Sequence, residues 1–325
     1  MKFLIIGLGS MGKRRVRNLQ SLKAGEILGF DLREDRRKEV EEKYKIKTIG
    51  NLKDLDFIDI DAIIISTPPD KHNQYIKLAI KNKKPAFVEA SVILGDLERL
   101  NILSKRKRVL IAPSCTARFH PAIKKIKSLI KSGKYGKITN FSYHCGQYLP
   151  DWHPWENVKN FYVSKKETGA AREMVPFELT WIVDLVGFPK KIKGFYGKTM
   201  DVGADIDDTY VFSLDFGNFY GNIIIDVVSR YATRSLILNM EKGQILWRWE
   251  ENFVKLYDAV NKKWENYFFQ RGKTVKGYNK NIIENIYIEE MRKFIVAIQG
   301  KDKFPNSLDD DIGILKLLNK IEEKI

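Results

Sequence analysis

The stretch KFLIIGLGSMGKRRVRNLQSL, residues 2–22, contains the three parts of one folding unit in succession. Residues 2–6 form a short apolar run, as expected of a buried strand. A Gly-x-Gly-x-x-Gly turn at residues 7–12 follows directly, and Val16 and Leu19 then recur at helical spacing. Three glycines alone would be weak evidence, but strand, glycine-rich turn and helix in this order are what a dinucleotide-binding loop requires.

Each glycine of the turn has its own predicted role in binding a dinucleotide. Gly7 permits the tight turn, Gly9 lets the backbone approach a pyrophosphate, and Gly12 lets helix and strand pack closely. Ser10 and Met11 begin the helix, whose first amide groups face the phosphates. We therefore predict that these five residues bind a cofactor.

An acidic residue follows the second predicted strand. Residues 26–30 have the pattern of a strand, and Asp31 comes directly after it, near the roughly 20 residues beyond the turn at which an acid binds a ribose 2′-hydroxyl. Because a carboxylate repels a 2′-phosphate, Asp31 favours NAD over NADP. Arg33, Arg36 and Arg37 lie close enough in sequence to bind such a phosphate. NADP therefore stays an alternative, and Arg33 is a predicted cofactor contact.

Strands and helices alternate through the first third of the chain. Further apolar runs of strand length lie at about 46–49, 61–66, 85–89 and 109–113, with helix-forming segments between them. This alternation predicts right-handed crossovers and a doubly wound parallel sheet, a Rossmann domain over residues 1–120. The loops at the carboxyl ends of these strands should face one crevice, where such sheets bind their ligands.

From about residue 120 the pattern changes to consecutive strands. Strand-like runs lie at 137–147, 191–198, 208–216, 219–228, 234–240 and 243–250, with one helix at about 175–186. Consecutive strands indicate an antiparallel sheet, one face of which can meet a partner. We predict an α/β domain over residues 121–325 with a large, mostly antiparallel sheet. Helices near 281–299 and 308–324 close the chain and could pack back on the first domain.

Composition disfavours several classes of protein. The 325 residues carry a net charge of +16, but the lysines are scattered, often beside Glu, and no basic run is interleaved with aromatic residues. This disfavours nucleic-acid binding and leaves attraction of an anionic substrate as a functional interpretation of the charge. No apolar run approaches the roughly 20 residues of a membrane span. Cys115 and Cys145 are expected to be reduced thiols of a cytoplasmic protein. The four histidines lack metal-ligand spacing, so no metal is expected.

Several stretches together resemble the glucose–fructose oxidoreductase / inositol dehydrogenase (Gfo/Idh/MocA) family. Besides the glycine turn, they are Thr67-Pro68-Pro69 with His72, Arg118-Phe119-His120-Pro121, Gly133 with Gly136, Glu289-Glu290 before Phe294, Gly300, Pro305-Asn306-Ser307 and Asp309 to Asp311. The resemblance covers essentially the whole chain, and the ordered combination is what makes it specific. It implies a Rossmann domain followed by an α/β domain with an open-faced sheet, and NAD(P) binding. It also implies a homo-oligomer (a dimer or tetramer formed through the C-terminal sheet) and hydride transfer at a sugar, sugar-nucleotide or cyclitol hydroxyl.

The resemblance also implies further cofactor contacts. Ser66, Thr67 and Pro68 lie in the loop after a predicted strand. His72 resembles the residue that the family places beside the nicotinamide ribose, and Glu89 resembles its ribose-hydroxyl ligand. The alternative for His72 is a core histidine with satisfied hydrogen bonds.

Two departures from the family pattern concern proton transfer. The family commonly has Glu-Lys-Pro after the fifth strand, whereas this chain has Glu89-Ala90-Ser91. The family also carries a His, with an Asp three residues later, in the second-domain helix, where this chain has Phe177 and Thr180. Both usual proton-handling side chains are therefore missing, while the cofactor site is intact.

The segment from Gln147 to Glu156 is the best place to look for substrate contacts. Tyr148, Trp152 and Trp155 offer ring faces that suit the apolar side of a sugar. His153 could serve as acid or base, because imidazole titrates near neutrality. The alternatives are a histidine that orders the loop, and tryptophans that form a dimer contact.

Two carboxylates near the second-domain helix could replace the missing base. Glu173 and Glu178 are these candidates, with a contact to the helix dipole as the alternative for Glu173. Arg118 and Arg172 could hold an anionic group of the substrate, and a salt bridge is the alternative for Arg118. The sequence thus predicts an NAD(P)-dependent oxidoreductase acting on a small molecule, a sugar or sugar nucleotide. Its alternative is a non-catalytic nucleotide-binding or regulatory protein of the same fold.

Overall fold

The computed structural model describes residues 1–152, 157–160, 162–270, 272, 274 and 281–323, with the side chain of Asp54 excepted. They form two compact units. The first comprises Met1–Thr116 and Asn285–Gly313, and the second comprises Ala117–Glu284 and the chain from Ile314. Each unit has its own sheet and buried core.

The first unit is an α/β structure in which strands and helices alternate. Its N-terminal part runs β1 (Lys2–Ile6), α1 (Ser10–Ser21), β2 (Glu26–Phe30), α2 (Glu34–Tyr44), β3 (Lys47–Ile49), β4 (Ala62–Ile65), α3 (His72–Lys81), β5 (Ala86–Val88), α4 (Leu97–Lys107) and β6 (Ile111–Pro113). The strands lie in the order β3-β2-β1-β4-β5-β6, and all neighbouring pairs are parallel. The predicted doubly wound parallel sheet is confirmed.

Burial on both faces explains why the central strands are apolar throughout. Residues 3–6 of β1 and 62–65 of β4 have no exposed surface, as expected for a parallel sheet covered by helices on both sides. The strand order reverses between β1 and β4, and this reversal marks the ligand-binding end of such a sheet. The cofactor site should therefore lie just beyond Ile6 and Ile65.

The second unit is built around a larger, mostly antiparallel sheet. Its elements are α5 (Pro121–Lys131), β7 (Ile138–Tyr148), α6 (Ala170–Val186), β8 (Lys191–Gly197), β9 (Thr209–Asp215), β10 (Tyr220–Asp226), β11 (Val228–Met240), β12 (Gly243–Arg248), β13 (Phe253–Asp258) and β14 (Lys263–Phe268). The order is β14-β13-β12-β11-β7-β10-β9-β8. Strands β7 and β10 are parallel, and the other described pairs are antiparallel. The predicted mostly antiparallel sheet is confirmed.

Two elements of this unit differ from the sequence-based expectation. Strands β13 and β14, the last two at one end of the sheet, were not predicted, because polar residues such as Lys255 and Asn266 interrupt the apolar pattern. Helix α6 begins five residues earlier than expected. Pro176 favours the first turn of a helix, but here it lies inside α6, after a turn that starts at Ala170.

The two faces of the large sheet differ in character. Alternate residues such as Tyr143 and Leu236 are buried, and α6 packs against β9 and β10. Strand register places the other residues on the opposite face. Five large apolar side chains there are strongly exposed, namely Phe195, Tyr220, Ile237, Trp264 and Phe268.

Helices α7 (Glu284–Ile298) and α8 (Leu308–Ile321) complete the described chain. Residues 285–313, which include most of α7, belong to the first unit. There Phe294 and Phe304 pack edge-on against Phe87 of β5. Within the described residues, no helix combines the length and apolarity that crossing a membrane would need.

Candidate functional site

The glycine turn lies at the carboxyl end of β1, where the fold itself requires two of its three glycines. Gly7 has a φ of +92°, and a Cβ atom there would lie 2.6 Å from the carbonyl oxygen of Ser66. A Cβ atom on Gly12 would lie 1.8 Å from the carbonyl oxygen of Gly7. At Gly9 the nearest atom would be a guanidinium nitrogen of Arg36, at 3.5 Å. Space beside Gly9 is therefore left for a ligand, as a pyrophosphate site requires.

The start of α1 supplies donors to this space. The first intrahelical hydrogen bond runs from the amide of Lys13 to the carbonyl oxygen of Gly9, at 2.9 Å. The amides of residues 10–12 precede this bond and point out of the helix start, toward which the helix dipole attracts an anion. The first turn contains no acidic residue to compete for them. Ser10, Met11 and Gly12 are thus placed as a phosphate site requires.

Asp31 lies at the carboxyl end of β2 and is tied to the glycine turn. Its carboxylate accepts hydrogen bonds from the amide of Leu8 at 2.8 Å and from the amide of Arg33 at 2.9 Å. The guanidinium of Arg36 is 3.7 Å from the same carboxylate. The side chain of Arg33 instead pairs with Asp35 at the surface. Of these two arginines, Arg36 is therefore the one whose side chain lies beside both Asp31 and Gly9.

The loop after β4 is held by a buried histidine. Nε2 of His72 lies 2.9 Å from the carbonyl oxygen of Thr67, and Nδ1 lies 3.2 Å from the hydroxyl of Ser91. A carbonyl oxygen only accepts, so Nε2 carries the proton and Nδ1 accepts from Ser91. Burial lowers the pKa of His72, which keeps the ring neutral. His72 thus orders the Thr67-Pro68 backbone, and its predicted contact with a ribose stays a prediction.

Glu89 follows β5 and reaches the same end of the sheet. Its carboxylate receives a two-pronged contact from Arg15, at 2.6 and 2.8 Å, and a hydroxyl contact from Ser66 at 3.3 Å. Ser66 in turn lies against Gly7. The fold therefore brings the predicted cofactor residues of β1, β4 and β5 into one connected group, as a dinucleotide site requires.

The predicted substrate segment begins at the end of β7, and the described residues include its first six, 147–152. The ring of Tyr148 lies 3.9 Å from the guanidinium carbon of Arg230. Trp152 ends a single turn in which its amide donates to Leu149. Its indole Nε1 is buried, and among the described residues no acceptor lies within hydrogen-bond distance of it. His153 and Trp155 lie outside the described residues.

Glu173 occupies the first turn of α6 and has a phenol as its neighbour. The hydroxyl of Tyr162 lies 2.9 Å from both carboxylate oxygens. Glu173 is only partly buried, so its carboxylate combines a polar contact with access from outside. A position in the first turn also stabilises its negative charge through the helix dipole.

Glu178, one and a half turns later, is fully buried and surrounded by donors. Its oxygens accept from the hydroxyl of Tyr143 and the indole of Trp181, both at 2.7 Å, and from Arg234 at 2.9 Å. The thiol of Cys145 is a further neighbour at 3.4 Å. Burial raises the pKa of Tyr143 and of Cys145, so both stay neutral donors. These contacts give Glu178 a structural role; its predicted part in proton transfer stays untested.

Both candidate substrate arginines already hold carboxylates within the second unit. Nε of Arg118 donates to the carbonyl oxygen of Thr180 at 3.1 Å, and its guanidinium is 3.7 Å from Asp184. Arg172 is buried and forms a two-pronged pair with Glu322, at 2.7 and 3.0 Å. Glu322 therefore anchors Arg172, and the predicted grip of either arginine on a substrate stays a prediction.

Two features of the site were not predicted from the sequence. Arg15 is one of them. It lies four residues before Leu19 on the buried face of α1, and this helical spacing could have indicated that Arg15 is buried. Tyr162 is the other, and no pattern in the sequence around it predicts its contact with Glu173. In the described part of the chain, no group of three or more His, Cys, Asp or Glu side chains is arranged to hold a metal ion.

Two family patterns match the chain in succession. The pattern of the oxidoreductase family with an NAD-binding Rossmann fold matches residues 1–111, and that of the Gfo/Idh/MocA C-terminal domain matches residues 123–246. Myo-inositol 2-dehydrogenase of Thermotoga maritima is 28% identical over 144 residues, which are 42% of either chain. The uncharacterized oxidoreductase YrbE of Bacillus subtilis is 33% identical over 137 residues, 41% of this chain and 40% of YrbE. The chain thus aligns with about two fifths of the length of these curated relatives.

Solved structures share the fold over nearly the whole chain. An oxidoreductase from Agrobacterium radiobacter, in complex with NAD+, L-tartaric acid and magnesium, has a TM-score of 0.85 at 15% identity and covers 99% of this chain and 95% of its own. Levoglucosan dehydrogenase in complex with NADH has a TM-score of 0.85 at 16% identity, covering 99% and 96%. At these identities the likeness concerns the fold alone.

Proposed function

Since the chain belongs to the Gfo/Idh/MocA family of oxidoreductases and has its NAD-binding Rossmann domain, we propose that it transfers a hydride between nicotinamide and a hydroxyl-bearing carbon. The substrate class is a sugar, sugar nucleotide or cyclitol. One observation carries the proposal: the open space at Gly9 lies in a connected group with Asp31 and Glu89. The myo-inositol 2-dehydrogenase relative supports the substrate class.

The residues of the first unit would hold the cofactor along its length. The amides at the start of α1 bind the pyrophosphate, Asp31 accepts from the adenosine ribose, and Glu89 accepts from the nicotinamide ribose. When bound, the cofactor supplies the hydride acceptor or donor. The contact between Asp31 and Arg36 keeps the NADP alternative open, because a guanidinium beside this carboxylate could bind a 2′-phosphate.

Oxidation of an alcohol also requires a group that takes the hydroxyl proton. We propose Glu173 or His153 for this role. Of the two carboxylates on α6, Glu173 is partly exposed and lies against a phenol, whereas Glu178 is fully buried among its donors. Tyr162 holds Glu173 in place and can relay its proton through the shared hydrogen bond.

Substrate contacts are proposed at the end of β7. Tyr148, Trp152 and Trp155 would present ring faces to a sugar. The indole nitrogen of Trp152, which has no acceptor among the described residues, is a donor suited to a hydroxyl. Arg118 and Arg172 would bind an anionic group of the substrate. Each guanidinium would bind it either in place of its present carboxylate partner or together with that partner.

The direct test follows the absorbance of the reduced cofactor. Purified protein is mixed with NAD or NADP and a panel of inositols, aldoses and nucleotide sugars, and turnover with at least one is expected. Glu173→Gln should abolish most of it, and Tyr162→Phe should reduce it less. Bound cofactor without turnover across the panel would contradict the proposal.

A non-catalytic nucleotide-binding or regulatory protein is the second candidate. One observation favours it: Ala90 and Phe177 stand where the family commonly has its lysine and histidine. Nucleotide binding at wild-type strength in Glu173→Gln and His153→Gln variants, with no turnover in the parent protein, would favour this candidate.

We also propose that a second copy of the chain covers the open face of the large sheet, giving a dimer or tetramer. Five strongly exposed large apolar residues share this face, and such a surface is usually an interaction site. The face also carries both Lys191 and Asp215, which are paired in register, so a two-fold partner could present the opposite charge to each.

A further inference from the structure

Arg15 is a fully buried arginine within the first unit. Its side chain has no exposed surface, and its guanidinium carbon lies 4.5 Å from the centre of the Phe87 ring. A buried charge is costly unless it is paired. Arg15 is paired twice, with Glu89 at 2.6 Å and with Glu290 at 3.0 Å. Its burial is therefore explained by the two carboxylates that it holds.

Among the described residues, the contacts of Glu89 leave one acceptor site of its carboxylate unused. A carboxylate has about four acceptor sites. Oε1 accepts from Nε of Arg15 and from the hydroxyl of Ser66, and Oε2 accepts from Nη2 of Arg15. The side chain of Glu89 is 12% exposed. The bidentate contact of Arg15 thus fixes the plane of this carboxylate and leaves an acceptor site on Oε2 for one hydroxyl.

Glu290 holds Arg15 and has no capacity for a ligand. It has no exposed surface. It accepts from the hydroxyls of Ser114 and Thr116, from the amide of Cys115 and from Nη2 of Arg15, at 2.7 to 3.0 Å. These four donors fill its acceptor sites. Glu290 therefore acts on the site only through Arg15.

We propose that Arg15 and Glu290 are positioning residues for the nicotinamide ribose: Arg15 orients the carboxylate of Glu89 toward a ribose hydroxyl, and Glu290 holds Arg15 in place. This inference rests on the proposed function, because it assumes that Glu89 is the ribose ligand. The C-terminal segment 285–313 thereby contributes to cofactor binding without touching the cofactor.

Two ligands separate this role from a general effect on the fold. ADP contains the adenosine ribose and the pyrophosphate but lacks the second ribose, whereas NADH contains both riboses. Loss of the bidentate contact between Arg15 and Glu89 should therefore weaken binding of NADH and leave binding of ADP unchanged. A merely structural role would weaken both.

The experiment measures dissociation constants for NADH and ADP by calorimetry in wild-type protein and in Arg15→Lys and Glu290→Gln. Lysine keeps the charge but not the two-pronged geometry. We expect the Kd for NADH to rise about tenfold in Arg15→Lys, the effect of a lost hydrogen bond to a charged group, and less in Glu290→Gln. Arg14→Lys is the matched control, since Arg14 is a buried neighbour on α1 that stacks on Tyr287; it should bind NADH as wild type does.

The binding results distinguish the positioning role of Arg15 from the assignment of Glu89. An equal loss of NADH and ADP binding in Arg15→Lys, or no loss of either, overturns the positioning role. If Arg15→Lys does not fold, Glu290→Gln decides by the same comparison. Glu89→Gln separates the two proposals: weaker NADH binding there, with normal binding in Arg15→Lys and Glu290→Gln, overturns only the positioning role. Normal NADH binding in Glu89→Gln overturns the assignment of Glu89 itself.

Discussion

Glu178 and Arg234 form an ion pair inside the second unit, with Nε of the arginine 2.9 Å from Oε1 of the glutamate. Tyr143 and Trp181 donate to the other oxygen. Because the pair joins α6 to β11, it stabilises the helix on the sheet, and it distinguishes Glu178 from Glu173 on the same helix.

Glu178→Gln should therefore lower the free energy of unfolding by about 3 kcal/mol or more, since it leaves the charge of Arg234 uncompensated. Glu173→Gln should cost less, about 1 kcal/mol, because this carboxylate is partly exposed, but it should reduce turnover by about 100-fold. Urea unfolding and steady-state rates on both variants measure these effects. Equal stability loss in the two variants would contradict this division of roles.

Gly12→Ala should reduce the stability of the protein, whereas Gly9→Ala should reduce NADH binding alone. A Cβ atom at Gly12 would collide with the carbonyl oxygen of Gly7, whereas one at Gly9 meets only the side chain of Arg36. Gly12→Ala should destabilise the protein by more than about 3 kcal/mol. Gly9→Ala should melt near the wild-type temperature yet bind NADH weakly. Thermal melts and NADH titrations test both variants. Tight NADH binding by Gly9→Ala would contradict the proposal that the pyrophosphate binds at this turn.

Asp31→Ser should shift the cofactor preference from NADH toward NADPH. The substitution removes the carboxylate that repels a 2′-phosphate, and it frees Arg36 from its 3.7 Å ion pair. We expect the ratio of NADH to NADPH affinity to fall about tenfold, the effect of one charge-assisted contact. The double variant Asp31→Ser/Arg36→Ala is the control and should lose the gain for NADPH. An unchanged ratio in the single variant would show that Asp31 does not contact the ribose.

Acid should destabilise the second unit through His120. Burial lowers the pKa of His120 to about 4, with a further contribution from the charge of Arg234. The unfolded chain takes up the proton below about pH 6.5, whereas the folded chain resists it. The stability that the neutral ring contributes is therefore present above pH 6.5 and is lost as the pH falls toward 4.

Between pH 7 and pH 5 this loss amounts to about 2 kcal/mol. His120→Asn should reduce the difference while keeping the helix cap, because Nδ1 of His120 accepts from the amide of Ala122 and asparagine caps helices well. Urea unfolding of both proteins at pH 7 and pH 5 measures this difference in the free energy of unfolding. The buried His72 acts in the same direction, so some dependence should remain in the variant.

Ile237→Lys should reduce the size of the assembly without unfolding the chain. Ile237 is 42% exposed on the open sheet face, opposite Ser142 of β7, and a charge there disfavours an apolar contact between copies. Light scattering after gel filtration should show a smaller species than wild type. A wild-type protein that is monomeric at all concentrations would rule out the proposed interface.

Local patterns along the chain were enough to predict the Rossmann sheet, the glycine turn and Asp31. The glycine turn and Asp31 depend on short-range contacts such as that between Leu8 and Asp31, and each strand of the sheet is marked by its own apolar run, so spacing and hydrophobicity carry the information. Strands β13 and β14 escaped prediction because their polar, half-exposed edge weakens that signal. The partners of Glu89 and Glu178 also escaped it, because Arg15 and Arg234 are 74 and 56 positions away.

The amino-acid sequence by itself determined the fold class, the family and the cofactor, because these follow from short-range order. Only the tertiary structure decided the surroundings of each carboxylate. Charge and hydrogen-bonding capacity are the same for every glutamate in the chain, but Glu178 and Glu290 are fully buried among donors. Glu89 retains one unused acceptor site, and Glu173 retains access from outside.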